Sequence, residues 1–266
     1  MTLLQVVERA LEEDIGTGDV TTNLCVPADR NASGRFVVRE QIIVAGAEVL
    51  PLLYDDIDLG APSGSCLENG QEIASVRGPA RQLLKLERVA LNFLQHLSGI
   101  ATQVRKYVDA VAGTGCRILD TRKTIPGLRE LEKMAVRAGG ATNHRMGLFD
   151  AVLIKNNHIT AAGGVRAALD ATKNAGVPVQ IEVRTRAELE EALAGGATKL
   201  LLDNLSPAEA KDWIRYIAGR ATVELSGGIT LDSVRAYAEA GPDFISVGAL
   251  THSVRAVDIH FQLELA

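Results

Sequence analysis

Residues 120–158 read DTRKTIPGLRELEKMAVRAGGATNHRMGLFDAVLIKNNH, and seven cations fall within them: Arg122, Lys123, Arg129, Lys133, Arg137, Arg145 and Lys155. Against four acids this gives a local charge of +3 in a chain of net charge −5, which leaves −8 on the remainder. A basic island in an acidic protein concentrates positive potential in one place, and its natural partner is a small, multiply charged anion. Arg122 and Lys123 follow Thr121 in a loop, where Arg offers a planar fork to a carboxylate or phosphate and Lys a mobile point charge. His144 and Arg145 follow Gly139-Gly140, a flexible approach to hydrogen-bonding side chains. Lys155 closes the apolar run 151–154 and suits either a ligand cation or an amine nucleophile, with His158 close behind as a core, capping or site residue. Arg129, Lys133 and Arg137 lie at i, i+4 and i+8 of a helix expected from Pro126, and read best as a solvated face.

These groups need a frame, and the chain supplies one by repetition. From Cys116 on, short apolar runs end in a polar or small residue and are followed by helical sequence, with ends at Asp120, Lys155, Glu182, Asp203, Ser226 and Gly248. Strand–helix units of that size build parallel sheets, and six of them argue for an α/β barrel, one or two strands short of eight unless a short strand hides near Asn143. In barrels the reacting groups sit at the carboxyl ends of strands. Glu182 and Asp203, on successive ends, suit Mg²⁺, directly or through water, or two ribose hydroxyls, although pairing with lysines would explain them as well. Ser226-Gly227-Gly228 and, one repeat later, Val247-Gly248-Ala249 are small enough for backbone N–H groups to approach a phosphate.

The first hundred residues are organised differently. A short amphipathic helix over Leu3 to Leu11 stops near Gly16, two β-rich runs cover 34–39 and 42–45, and Gly- and Pro-punctuated strands follow from Gly60 to Gly78. After Pro79 an apolar helix is expected to end near Ser98-Gly99, before a second helical span to Ala112. Residues 1–105 and 106–266 are therefore the expected domains, with the last residues free to return to the first.

Composition excludes other classes. Aromatics make up 4% of the chain, too few for stacking along nucleic acid, and the overall acidity argues the same way. No run reaches the roughly 20 apolar residues of a membrane helix. Cys25, Cys66 and Cys116 are odd in number and lack metal-site spacing, so they are expected to be reduced core thiols of a cytoplasmic protein.

Six segments in this order resemble one family: DTRKT (120–124), PGLR (126–129), NHR (143–145), LIKNNHI (153–159), LLLDN (200–204) and SVGALTHS (246–253). With EDIGTGDVTT (13–22) and ERVALNFLQHLSGIAT (87–102), they make the whole chain similar to quinolinate phosphoribosyltransferase. The resemblance implies an N-terminal α/β sandwich domain, an incomplete seven-stranded TIM-like barrel, and transfer from phosphoribosyl pyrophosphate to quinolinate with decarboxylation in NAD biosynthesis. It implies Mg²⁺ as cofactor and a homodimer in which Arg88 enters the partner's site. Carried over, Arg122, His144, Arg145 and Lys155 hold the quinolinate carboxylates beside Thr121, while Lys123 and Lys155 line the pyrophosphate region and act in catalysis. Glu182 and Asp203 become the catalytic ribose and Mg²⁺ carboxylates, and Ser226, Gly227, Gly228, Val247, Gly248 and Ala249 the 5′-phosphate cradle. Asn156 stands where the family often has an acid, and Ala141 where a third glycine is common. Two other readings stay open: a divergent phosphoribosyltransferase-like homologue of the molybdenum-transport-associated type, and a Schiff-base barrel enzyme using Lys155.

Overall fold

The computed structural model describes residues 2–265 and divides into two compact units. The first contains residues up to Arg105, Thr124–Gly140 and everything from Leu250 on; the second contains Lys106–Lys123 and Ala141–Ala249. The expected boundary at 105 is thus one of several crossings, and residues 124–140 cluster with the first unit rather than with the barrel.

In chain order the strands are β1 (Asn31–Val38), β2 (Ile42–Ile43), β3 (Asp56–Leu59), β4 (Cys66–Leu67), β5 (Glu72–Pro79), β6 (Arg117–Leu119), β7 (Val152–Ile154), β8 (Val179–Val183), β9 (Lys199–Asp203), β10 (Thr222–Ser226), β11 (Phe244–Ser246) and β12 (Ile259–Leu265). The first unit is built on an antiparallel sheet in the order β12-β1-β5-β3, so the last strand of the chain pairs along the first, Phe36 opposite Phe261. Phe36 is fully buried, with Tyr54 edge-on at 5.9 Å and Phe261 at 4.9 Å between ring centroids, distances at which aromatic pairs attract beyond their buried area.

One helix, Ala80–Ala110, runs 31 residues without a break. The stop expected at Ser98-Gly99 is absent. Ser98 lies inside the helix and its hydroxyl links to Ala45, accepting from N–H at 3.0 Å and donating to C=O at 3.2 Å. Gly99 is where another backbone presses in, since a Cβ there would stand 2.4 Å from the Arg255 carbonyl oxygen. The glycine serves close approach, not termination.

The helix expected from Pro126 begins three residues later, as Arg129–Ala138, after a turn. The stripe read as a solvated face holds only in part: Arg137 is exposed and Arg129 half-buried, but Lys133 and its neighbour Glu132 are both fully buried, and Glu132 meets His96 at 3.0 Å. Of the three cysteines only Cys116 is buried, and burial, then the charge of Asp243, pushes its thiol up to about 12; Cys25 and Cys66 are exposed, against expectation.

The second unit is a parallel sheet in the order β6-β11-β10-β9-β8-β7. The first strand pairs with the last, Leu119 opposite Ser246, as a sheet curling towards closure requires and an open doubly wound sheet would not. The expected seventh strand shrinks to one bridge, Thr142 with Leu119, and β6 and β7 stay at the two ends of the ladder. The architecture is an incomplete α/β barrel whose strand ends fall within a residue or two of those read from the sequence.

Candidate active site

The end of β6 and the loop after the Leu119–Thr142 bridge set up the anion-binding part of the site. Directly after β6 comes Asp120, fully buried, whose carboxylate accepts hydrogen bonds from Asn143 Nδ2 at 2.6 Å and the His144 amide at 2.7 Å. A buried carboxylate left bare would cost several kcal/mol, so these bonds pin the 143–145 loop to the end of β6. The Thr121 hydroxyl accepts from the Lys123 amide at 3.0 Å, folding residues 121–123 into a tight turn.

The loop sets His144 in turn. Its Nδ1 accepts the Arg145 amide at 2.7 Å, which places the ring proton on Nε2, 3.3 Å from Glu224 Oε2. Glu224 lies almost wholly buried on β10 and also accepts from Gln180 Nε2 of β8 at 2.8 Å. Burial alone would push its carboxyl up; hydrogen bonds from His144, Gln180 and Ser246 outweigh this and hold it below the ordinary 4.5. Both ring nitrogens of His144 therefore have protein partners, Nδ1 the Arg145 amide and Nε2 the Glu224 carboxylate.

Arg145 donates through Nη1 to the Ala151 carbonyl at 3.0 Å. Burial, and then the charge of Arg122, lower its pKa, with Asp150 opposing. Two guanidinium groups within each other's field, both half-buried, favour an anion beside them. Beneath them a cavity of about 350 Å³ reaches towards the amino ends of the strands, lined among others by Asn143, His144, Arg145, Gln180, Lys199 and Glu224.

A second group gathers the ends of β8, β9 and β10. Glu182 and Asp203 are both joined to Arg184 Nη2, at 2.8 Å from Oε1 and 3.2 Å from Oδ2. Asp203 Oδ2 also accepts from Asn204 Nδ2 at 2.7 Å, while the Asn204 amide donates to the Ser226 carbonyl at 2.9 Å. Asn204 has φ +60, a left-handed conformation asparagine tolerates better than most residues. It packs so closely that a Cβ on Gly227 would meet its Oδ1 at 2.3 Å, so this glycine is required by contact as well as by its φ of +105. Ser226, Gly227 and Gly228 thus sit beside the carboxylate pair.

Other expected residues are placed separately. Lys155 is exposed just past β7, and its amide donates to His158 Nδ1 at 2.9 Å, so His158 caps the helix Asn156–Ala162. The Val247 amide donates to Leu119 O at 3.0 Å in the sheet, which removes it from the donors a phosphate could use; Gly248 and Ala249 follow at the start of the short helix Ala249–His252. Arg88 belongs to the first unit and is exposed on the helix Ala80–Ala110. Glu224, Gln180 and Arg184 were missed by sequence reasoning, yet a signal existed. Each lies two residues from a strand-end residue, Ser226 or Glu182, and a period of two keeps side chains on one face of a strand.

Residues 100–262 match the family model described as "Quinolinate phosphoribosyl transferase, C-terminal domain", and residues 19–98 that of the N-terminal domain. The chain is 42% identical to nicotinate-nucleotide pyrophosphorylase, carboxylating, of Mycobacterium leprae, over 97% of this chain and 95% of that protein. It is 40% identical to the probable enzyme of that name from Bacillus subtilis, over 96% and 91%. The crystal structure of nicotinate-nucleotide pyrophosphorylase from Ehrlichia chaffeensis superposes with a TM-score of 0.95 at 35% identity, covering 99% of both chains.

Proposed function

Because the chain belongs to the quinolinate phosphoribosyl transferase family, we propose that it transfers the phosphoribosyl group of phosphoribosyl pyrophosphate to quinolinate, releasing pyrophosphate and CO₂ and leaving nicotinate mononucleotide for NAD biosynthesis. The observation that supports this site most directly is the placement of half-buried Arg122 and Arg145, each three residues beyond one partner of the Leu119–Thr142 bridge. Quinolinate carries two carboxylates on a small ring, which matches two guanidinium groups in one place.

Arg122, Arg145 and Lys155 are the proposed carboxylate ligands, with Thr121 alongside. His144, engaged through both nitrogens, orients Arg145 instead of binding directly. Lys123 and Lys155 face the departing pyrophosphate, and Ser226, Gly227, Gly228, Gly248 and Ala249 surround the 5′-phosphate. In the transfer the pyridine nitrogen bonds to ribose C1 as the bond from C1 to pyrophosphate oxygen breaks, and positive charge develops on the sugar. Glu182 and Asp203 stabilise that charge. The nitrogen is then cationic, so the electron pair left at C2 when its carboxylate departs as CO₂ is stabilised until a proton from water takes its place. Orientation is the main demand on the protein.

Among the described residues no group of three or more His, Cys, Asp or Glu could hold a metal ion. Glu182 and Asp203 nevertheless fit Mg²⁺, because a single nitrogen already reaches both carboxylates and this ion is content with one or two of them plus water and phosphate oxygens. When bound, it screens the charge of the leaving pyrophosphate. A homodimer in which exposed Arg88 completes the partner's site, and a cytoplasmic location in keeping with three free thiols, complete the proposal.

The test is CO₂ release and nicotinate mononucleotide formation from quinolinate, phosphoribosyl pyrophosphate and Mg²⁺, with nicotinic acid as the control substrate. Turnover of quinolinate alone is expected; a folded protein that turns over neither acid overturns the reading.

A further inference from the structure

Arg184 follows Glu182 by two residues, emerging from the end of β8 on the same side, and one of its terminal nitrogens spans two carboxylates at 2.8 and 3.2 Å. The acids are largely enclosed, with side chains 8% and 13% exposed, whereas Arg184 is 48% exposed. The cation is thus the outer, removable member of the cluster, and it can leave without opening the core.

The contact is an ion pair that does not complete the hydrogen bonding of the acids. Glu182 Oε1 is buried and has no hydrogen-bond partner, although Arg184 Nη2 stands 2.8 Å away as an ion pair. Arg184 therefore neutralises the pair and leaves a buried acceptor unsatisfied. A metal-bound water or a sugar hydroxyl would satisfy it, and an acceptor left unmet costs more than a formed hydrogen bond contributes. Asp203 is better supplied, since it also accepts from Asn204.

We infer that Arg184 is a built-in counter-cation that occupies the Glu182–Asp203 pair in the free protein and is displaced when the magnesium-bound phosphoribosyl donor arrives, so that it sets how tightly the free protein holds a divalent ion. The inference rests on the reading of these two acids as the metal and ribose carboxylates. With the guanidinium in place the pair carries one charge fewer and is sterically occupied, so a divalent ion alone binds weakly. The incoming donor brings phosphates, to which the released guanidinium can turn, and metal and donor then bind together more readily than the metal alone.

The experiment is calorimetric titration of Mn²⁺, as a probe for Mg²⁺, into the full-length protein without substrates, for wild type, Arg184→Gln and Arg184→Lys. Folding of each is checked by thermal melting. Removing the charge is expected to tighten Mn²⁺ binding roughly five- to tenfold, the scale of two partly exposed ion pairs, while Arg184→Lys stays near wild type. Unchanged affinity in Arg184→Gln overturns the inference, as does equal tightening in Arg184→Lys, which would make shape and not charge responsible. Failure of wild type to form product from quinolinate would instead count against the proposed function, and the two outcomes are read independently.

Discussion

The two sheets of this protein solve the same burial problem with opposite contents. The antiparallel sheet β12-β1-β5-β3 packs an apolar core, with Phe36, Ile73, Ala74 and Val76 all fully buried. The parallel sheet brings Glu182 and Glu224 inside with Asp120 at the end of β6, and each has an identifiable partner set. An apolar side chain needs only volume and tolerates repacking, whereas a buried carboxylate needs particular donors in particular places. Fixed polar geometry is what a reaction requires; the contacts of Arg35 with Gln262 and Glu264 in the first sheet are exposed, whereas the carboxylates of the second are buried.

Truncating each region should therefore fail in a different way. Phe36→Ala should lower stability by about 3–5 kcal/mol, read from denaturant unfolding, with kcat per folded molecule unchanged. Arg122→Ala should do the reverse: a loss of roughly 100- to 1,000-fold in kcat/KM for quinolinate, with the melting temperature nearly unmoved. If Arg122→Ala melted early, or Phe36→Ala lost turnover while folded, the division of labour between the sheets would be wrong.

Between these extremes lie residues that hold the site without entering it. Asp120→Asn keeps the shape but replaces one acceptor with a donor facing the Asn143 amide or the His144 N–H. A cost of about 1–3 kcal/mol is expected, along with weakened quinolinate binding through the loosened 143–145 loop. Urea unfolding and the KM for quinolinate report the two parts. Gly227→Ala should cost about 1–3 kcal/mol through overpacking against Asn204, and should raise the KM for phosphoribosyl pyrophosphate before that for quinolinate.

The smallest effect concerns pH. The Glu224 carboxyl titrates below 4.5 in the folded protein because hydrogen bonds from His144, Gln180 and Ser246 outweigh burial. A depressed pKa means that the unfolded chain binds the proton more readily, so this stabilisation is present above about pH 4.5 and is lost as the pH falls through the folded value. Glu224→Gln should flatten the acid limb of the stability curve, measured by melting between pH 3 and 6, roughly the range in which ordinary carboxylates titrate. An identical limb in both proteins would show that the buried acid contributes nothing there.

The sequence by itself determined the local matters: the helix ending before Gly16, six parallel strands and the residues at their carboxyl ends, because burial on both faces imposes runs of Val, Ile and Leu and the turn that follows must be polar or small. The order of its motifs determined the family as well. Tertiary structure decided what depends on residues far apart in the chain. Gly99 reads as a helix stop until the Arg255 backbone is seen against it, and Lys133 reads as a solvated charge until its helix is buried in the first unit. Glu224 meets the His144 ring from eighty positions away, and Arg184, which the sequence did not single out, comes within reach of Asp203. Periodicity follows from the chain's own covalent geometry, but which charge meets which is set by the curl of the sheet, and no local pattern encodes that.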